Sequence, residues 1–284
     1  MVKNTVCVVG GDLRQRRLSE LLLKDGYSVS TVGLFEEDFD LSPLESADIA
    51  VFPMPVSFDN VYINAPFSKK QIALSYALER LSANCFVLGG RISGETEEIL
   101  TKKGIQFADY YSREELIVKN AIPTAEGALE IAFSELPITV FGSKSLVVGY
   151  GRVGKVMAKK LRALESDVTV SARKYADFAW IEEGGMRAIH TEDLPVFAGD
   201  FDLIINTVPA MVLTEEVLKR VRDDALIIDL ASKPGGVDFP GAKRLSKKVI
   251  WALSLPGKTA PVTSGEIIKE AITNILAERE VLDE

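Results

Sequence analysis

The chain has 284 residues, 47% of them hydrophobic, with a formal net charge of −8, which allows two domains with packed cores. The charge argues against a nucleic-acid partner, because the densest basic patch, Arg14-Gln15-Arg16-Arg17, is too brief to follow a phosphate backbone. No apolar run is long enough to cross a bilayer and the start, Met1-Val2-Lys3-Asn4, shows no leader, so a cytoplasmic protein without membrane contact is expected.

Strand-like and helix-like segments alternate from end to end, which predicts parallel sheets covered by helices. The first half carries strands at 5–9, 27–32, 49–52, 85–88 and 105–108, with helices at 14–24, 69–81 and 95–103. Cys7 and Cys85 lie inside apolar strand runs and are expected as buried free thiols. Two such cysteines and one histidine do not make a zinc site, and no metal is expected. Gly10-Gly11-Asp12-Leu13-Arg14-Gln15 follows the first strand but lacks the spacing for a dinucleotide, so it reads as a substrate-facing loop. Pro53-Met54-Pro55 and Gly89-Gly90-Arg91 follow the third and fourth strands at the same edge. Arg14 and Arg91 are therefore candidate carboxylate partners.

Between Asn120 and Pro137, Pro123 suits an early helical position and Pro137 a stop. A helix at 123–137 is thus expected to join a substrate-side domain at 1–122 to a cofactor domain at 138–262. The second half reads as strands at 145–148, 167–170, 187–189, 203–206, 226–229 and 249–251. Its first strand runs into Gly149-Tyr150-Gly151-Arg152-Val153-Gly154 and then a helix. In that arrangement the first glycine permits the tight turn, the second lets a pyrophosphate approach the backbone, and the third lets helix and strand pack. The expected fold is two doubly wound α/β domains, a Rossmann-type cofactor domain and a Rossmann-like N-terminal domain, with a cleft between them.

An acidic residue about 20 residues past the glycines marks NAD, because it accepts from the ribose 2′-hydroxyl. This chain has Ser171-Ala172-Arg173-Lys174 there, so Ser171, Arg173 and Lys174 are expected to hold a 2′-phosphate and NADP is favoured over NAD. Asn206-Thr207-Val208-Pro209 and the loop from Asp229 through Ser232 to Gly236 follow the next two strands and are expected to border the same crevice. His190, after the third strand of this half, reads as structural. The loop 255–265 carries Lys258, Thr263 and Ser264 beside an expected helix start, suited to a carboxylate. A final amphipathic helix at 263–284 can pack on either domain, and analogy with other two-domain dehydrogenases places it on the first.

Six stretches together resemble the A subunits of bacterial dipicolinate synthase over nearly the whole chain. They are Gly10 to Gln15, Ile122 to Ala128, Val148 to Gly154, Ile205 to Ala210, Asp229 to Phe239 and Leu255 to Pro261. The resemblance implies oxidation of dihydrodipicolinate to pyridine-2,6-dicarboxylate with a pyridine nucleotide. It also implies work in the mother cell during sporulation and, as partner, a flavoprotein-like B subunit. Such a reaction leaves an aromatic ring, so the protein must mainly position the ring and neutralise two carboxylates. Asp12, Glu126 and Lys258 are the available proton acceptors, with no ranking among them. A homo-oligomer is expected. Two alternatives stay open: a nucleotide-binding subunit without chemistry, and another two-domain dehydrogenase similar to methylene-tetrahydrofolate dehydrogenase.

Overall fold

The computed structural model describes residues 4–36 and 39–283, with side chains described as far as residue 279. Residues 1–3, on which the reading of a leaderless start partly rests, lie outside the described residues. The chain divides into two units, Met1–Asn120 with Ala260–Glu284, and Ala121–Thr259.

The first unit is built on β1 (Thr5–Val9), β2 (Ser28–Val32), β3 (Ile49–Val51), β4 (Phe86–Gly89) and β5 (Phe107–Asp109). All neighbours pair in parallel, in the order β2-β1-β3-β4-β5. Alternation along β1 sends Val6 and Val8 to one face and Cys7 and Val9 to the other. Helices Leu13–Lys24 and Pro261–Asp283 cover the first face through Leu18, Leu22, Ile267, Ile268 and Ala271. The two helices approach closely at Gly265, where a Cβ would stand 2.8 Å from the Arg14 carbonyl oxygen. Ion pairs seat the carboxyl-terminal helix on this unit: Arg17–Glu266, Lys269–Asp25, Lys119–Glu270 and Arg113–Glu278. Helix 69–81 of the sequence reading shrinks to Leu74–Glu79, because Tyr62 and Ile63 pair antiparallel with the residues before it.

The second unit holds β6 (Lys144–Val148), β7 (Asp167–Ala172), β8 (Arg187–His190), β9 (Leu203–Asn206), β10 (Leu226–Asp229) and β11 (Lys248–Trp251). They form one parallel sheet in the order β11-β10-β9-β6-β7-β8. The order reverses between β6 and β9, which makes that point the ligand-binding edge of a doubly wound sheet. Val147, Ile205 and Ile228 bury one face under helix Arg152–Ala163, while Leu146, Ile204 and Ile227 bury the other.

Two boundaries differ from the sequence reading. The joining helix runs Glu114–Glu135, with Pro123 inside it, and the unit boundary falls within the helix. Proline lacks the N–H that would reach the Lys119 carbonyl, a break that normally ends a helix. Burial on both sides of Pro123 overrides it: Leu116 packs in the first unit's core, and Ala125, Ala128 and Ala132 in the second's. The expected loop 255–265 is instead two helical segments, Leu255–Thr259 and the start of Pro261–Asp283, with proline at the first helical position of the longer one. Among the described residues no helix is long and apolar enough to cross a membrane.

Cys7 and Cys85 are free and buried. Burial pushes both thiols up from 9.0 to about 11. A raised pKa means that the folded state holds the proton more tightly. The contribution is therefore present in full below pH 9.0 and lost as pH rises towards about 11. Denaturation midpoints should fall across that window, and less steeply in a Cys7→Ala/Cys85→Ala variant. Identical slopes would contradict the burial of these thiols.

Candidate functional site

The site begins at the end of β6. Gly149 adopts φ +95°, a left-handed conformation that favours glycine, and its N–H donates to the Ser171 carbonyl at 2.9 Å. A Cβ on Gly154 would lie 2.1 Å from the Gly149 carbonyl oxygen, so the helix rests directly on the turn. At Gly151 the space where a Cβ would stand is open, with no neighbouring atom within 4 Å. Gly151 is also the N-cap of helix Arg152–Ala163, supplies no side-chain cap, and is followed by no acidic residue in the first turn. The first ladder bond is Lys155 N to the Gly151 carbonyl at 2.9 Å, so the helix ladder offers the amides before it no i→i−4 partner. Those groups, the dipole behind them and the space over Gly151 fit a pyrophosphate. Tyr150 and Val153 are half-buried beside them. The Lys155 ammonium lies 5.3 Å from the Tyr150 ring centre. Burial, and then Asp177 and Glu183, raise the Tyr150 phenol above its ordinary pKa.

At the end of β7 the strand closes on Ala172, and no carboxylate stands there. Arg173 and Lys174 are exposed and make no ion pair among the described residues. Ser171 departs from the sequence reading. It is 0% exposed, and its Oγ has no hydrogen-bond partner. Strand alternation turns it inward, so as it stands its hydroxyl cannot meet a phosphate at the surface.

The two loops beyond β9 and β10 share a buried polar pair that sequence reading missed. Asn206 and Asp229 are both fully buried Cα partners in the sheet. Asn206 Nδ2 donates to Asp229 Oδ1 at 2.8 Å and to the Val208 carbonyl at 3.0 Å. Asp229 also accepts from the amides of Ala231 and Gly236. Thr207 donates its hydroxyl to the Val148 carbonyl at 2.9 Å, while Pro209 and Ser232 are exposed. The loop also exposes Lys233, which has no ion pair among the described residues.

The candidates for substrate and proton transfer are scattered more than the sequence implied. Arg14 is 7% exposed, and its guanidinium is occupied by Asp12 (2.9 Å) and the Met54 carbonyl (2.9 Å). Asp12 in turn caps helix Leu13–Lys24 by accepting from the Arg14 amide. Two residues given separate roles by the sequence are thus one ion pair. Arg91 is exposed, with its guanidinium 4.5 Å from the Tyr111 ring centre and donating to that hydroxyl. Glu126 is paired with Lys160 at 2.7 Å. Lys160 lies eight positions past Arg152, about 12 Å down the helix from its open end at 1.5 Å per residue. The pair therefore stands well along the helix from its N-terminal end. Lys258 is exposed in the second unit, whereas Thr263 (exposed) and Ser264 (buried) lie in the first turn of the long helix of the first unit. His190 accepts from the Glu192 amide and packs edge-on to Phe178, a structural role. Among the described residues no group of three or more His, Cys, Asp or Glu could hold a metal.

The packing separates the glycines by role. Gly154→Ala should lower the melting temperature, since over-packing costs about 1–3 kcal/mol. Gly151→Ala should melt like the parent. Equal melting curves for the two variants would refute the contact.

A family model for the N-terminal domain of the dipicolinate synthase A subunit matches residues 5–111, and one for putative NAD(P)-binding domains matches residues 136–240. The A subunit of dipicolinate synthase from Bacillus subtilis (strain 168) is 32% identical, over 96% of this chain and 96% of its own length. The crystal structure of the corresponding Bacillus halodurans protein superposes with a TM-score of 0.89 at 31% identity, covering 98% of this chain and 99% of that one. A transhydrogenase from Sinorhizobium meliloti, at TM-score 0.71 and 13% identity over 96% of this chain and 93% of its own, shares the fold alone. With an NAD(P)-binding family match in its second unit and likeness to an A subunit over 96% of its length, the chain belongs to the family of dipicolinate synthase A subunits.

Proposed function

We propose that the chain oxidises dihydrodipicolinate to pyridine-2,6-dicarboxylate with NADP, as a homo-oligomer working in the mother-cell cytoplasm with a flavoprotein-like B subunit. The observation that carries this reading is the helix end at Gly151 without a side-chain cap, in a chain similar to the Bacillus subtilis A subunit over 96% of its length. Losing one hydride and one proton from the dihydro ring leaves the aromatic product, and bound nicotinamide supplies the hydride acceptor. The chain holds the pyrophosphate on the amides after Gly151, while Thr207, Val208, Pro209 and Ser232 border the far half of the nucleotide. Arg173 and Lys174, exposed and without ion pairs at a strand end that lacks a carboxylate, support NADP over NAD. For the substrate, Arg91 and Lys258 are the exposed cations among the candidates, with Thr263 as a polar neighbour of the helix start. Asp12 and the Met54 carbonyl engage Arg14 Nε and Nη2, so a carboxylate would meet Nη1, or displace Asp12 and free that group as proton acceptor. Lys258, a cation for a carboxylate, has no lone pair with which to accept a proton while it stays one.

Calorimetry should find NADP bound more tightly than NAD. Arg173→Ala should remove about 1.5–3 kcal/mol, roughly 10–100-fold in NADP affinity, and leave NAD unchanged. Equal or tighter NAD binding by the parent protein would defeat the assignment. Gly151→Val should abolish nucleotide binding without changing the melting curve. Nicotinamide absorbance, followed with freshly made dihydrodipicolinate in the presence and absence of the B subunit, tests the reaction. Binding without turnover under both conditions would make this a nucleotide-binding subunit instead.

A further inference from the structure

We propose that Asn206 and Asp229 are positioning residues that hold the loops bordering the nicotinamide half of the cofactor in their binding shape before the cofactor arrives. The proposal rests on the reading of the second unit as the nucleotide-binding one.

The bonding pattern carries it. Asp229 Oδ1 accepts from Asn206 Nδ2 at 2.8 Å and from the Ala231 amide at 3.0 Å, and Oδ2 accepts from the Gly236 amide at 2.9 Å. Asn206 Oδ1 accepts from the Val208 amide at 3.1 Å, while Nδ2 also reaches the Val208 carbonyl. Beyond the bond that joins the two side chains, every one of these contacts lands on a loop. The strands need none of them, since β9 and β10 pair through their own backbones from Leu203↔Leu226 to Asn206↔Asp229. A well-packed apolar pair would fill the same space, whereas a buried carboxylate is costly unless its donors are fixed. What this pair adds is the shape of 207–213 and 230–237.

The loops close down on it. A Cβ on Gly236 would lie 2.2 Å from Asn206 Nδ2, and one on Gly235 2.9 Å from Asp229 Oδ2. The Gly236 carbonyl accepts from the amides of Val212 and Leu213, so the two loops are tied to each other as well. The effect reaches the glycine turn. The loop that Asn206 holds places Val208 Cγ2 and Thr207 Oγ1 2.7 and 2.8 Å from where a Gly149 Cβ would be. Both loops follow strand ends on the side of the sheet given to the second half of a dinucleotide, with Lys233 exposed between Ser232 and Gly235. Loops already ordered do not spend binding free energy on ordering.

In Asp229→Asn the amide must turn its NH2 either towards the Gly236 amide or towards Asn206 and Ala231, so at least one bond is lost in each orientation. NADPH should bind at least about tenfold more weakly to this variant, and the fluorescence of bound nicotinamide should change. Affinity for 2′-phosphoadenosine diphosphoribose, which lacks nicotinamide, should stay within about twofold. Equal weakening of both ligands, or weakening of neither, would overturn the proposal. If Asp229→Asn does not fold, Asn206→Ala, which leaves the Ala231 and Gly236 bonds to Asp229, decides by the same comparison. In the unaltered protein, hydrogen exchange at the Ala231 and Gly236 amides should be as slow without NADPH as with it. Protection that arises only with NADPH overturns the proposal. An unaltered protein that binds neither ligand would overturn the cofactor reading, and this proposal with it, by a signature that the variants cannot mimic.

Discussion

The contact between Gly154 and the Gly149 carbonyl sets the geometry of the second unit. With 2.1 Å between that oxygen and where a Cβ would stand, no side chain fits, and helix Arg152–Ala163 starts immediately beneath the strand end. That closeness aims the first amides of the helix past Gly151 into open space. A chain that ended β6 one residue later, or packed its helix farther out, would keep the same sheet and lose the open helix end.

The first unit shows what happens when the same strand–turn–helix element completes itself. Gly10 and Gly11 turn with φ of +58° and +96°, but the helix that follows is capped by Asp12, and Asp12 is neutralised by Arg14. The Gly11 amide is taken by the Asn64 carbonyl at 2.7 Å. An anion is already built into that helix start, so it offers no vacancy to a phosphate. The two units share a parallel α/β architecture, and the starts of their first helices differ: a carboxylate N-cap in one, a glycine in the other.

Buried polar groups divide the molecule in a similar way. Asn206 and Asp229 satisfy each other and the loops around them, and the loops have a defined shape as a result. Ser171 Oγ and both amide atoms of Gln15 are buried without partners, each at the carboxyl end of a strand or in the first turn beyond one. Such groups cost free energy where they stand. They sit near the edges where ligands of doubly wound sheets bind, where side-chain choice answers to more than packing.

Much of this was legible in the sequence because it depends on local rules. Strand alternation, the glycine spacing from Gly149 to Gly154, and the absence of a carboxylate near Arg173 are properties of neighbouring residues. They specified the eleven parallel strands of the described residues to within a residue or two at most ends, and the position of the glycine turn after β6. What the sequence could not determine depends on residues far apart in the chain. Pro123 sits within a helix because burial of Leu116 on one side and Ala125 on the other outweighs a missing hydrogen bond. Arg14 is engaged because Asp12 and the Met54 carbonyl meet it, and Glu126 is paired because its helix lies beside Lys160. The Asn206–Asp229 pair exists only because β9 and β10 are neighbours in register. Local sequence determined which turn can receive an anion. Only tertiary packing decided which charges were left free to meet one, because a side chain's partner is chosen by what the fold brings within about 3 Å of it.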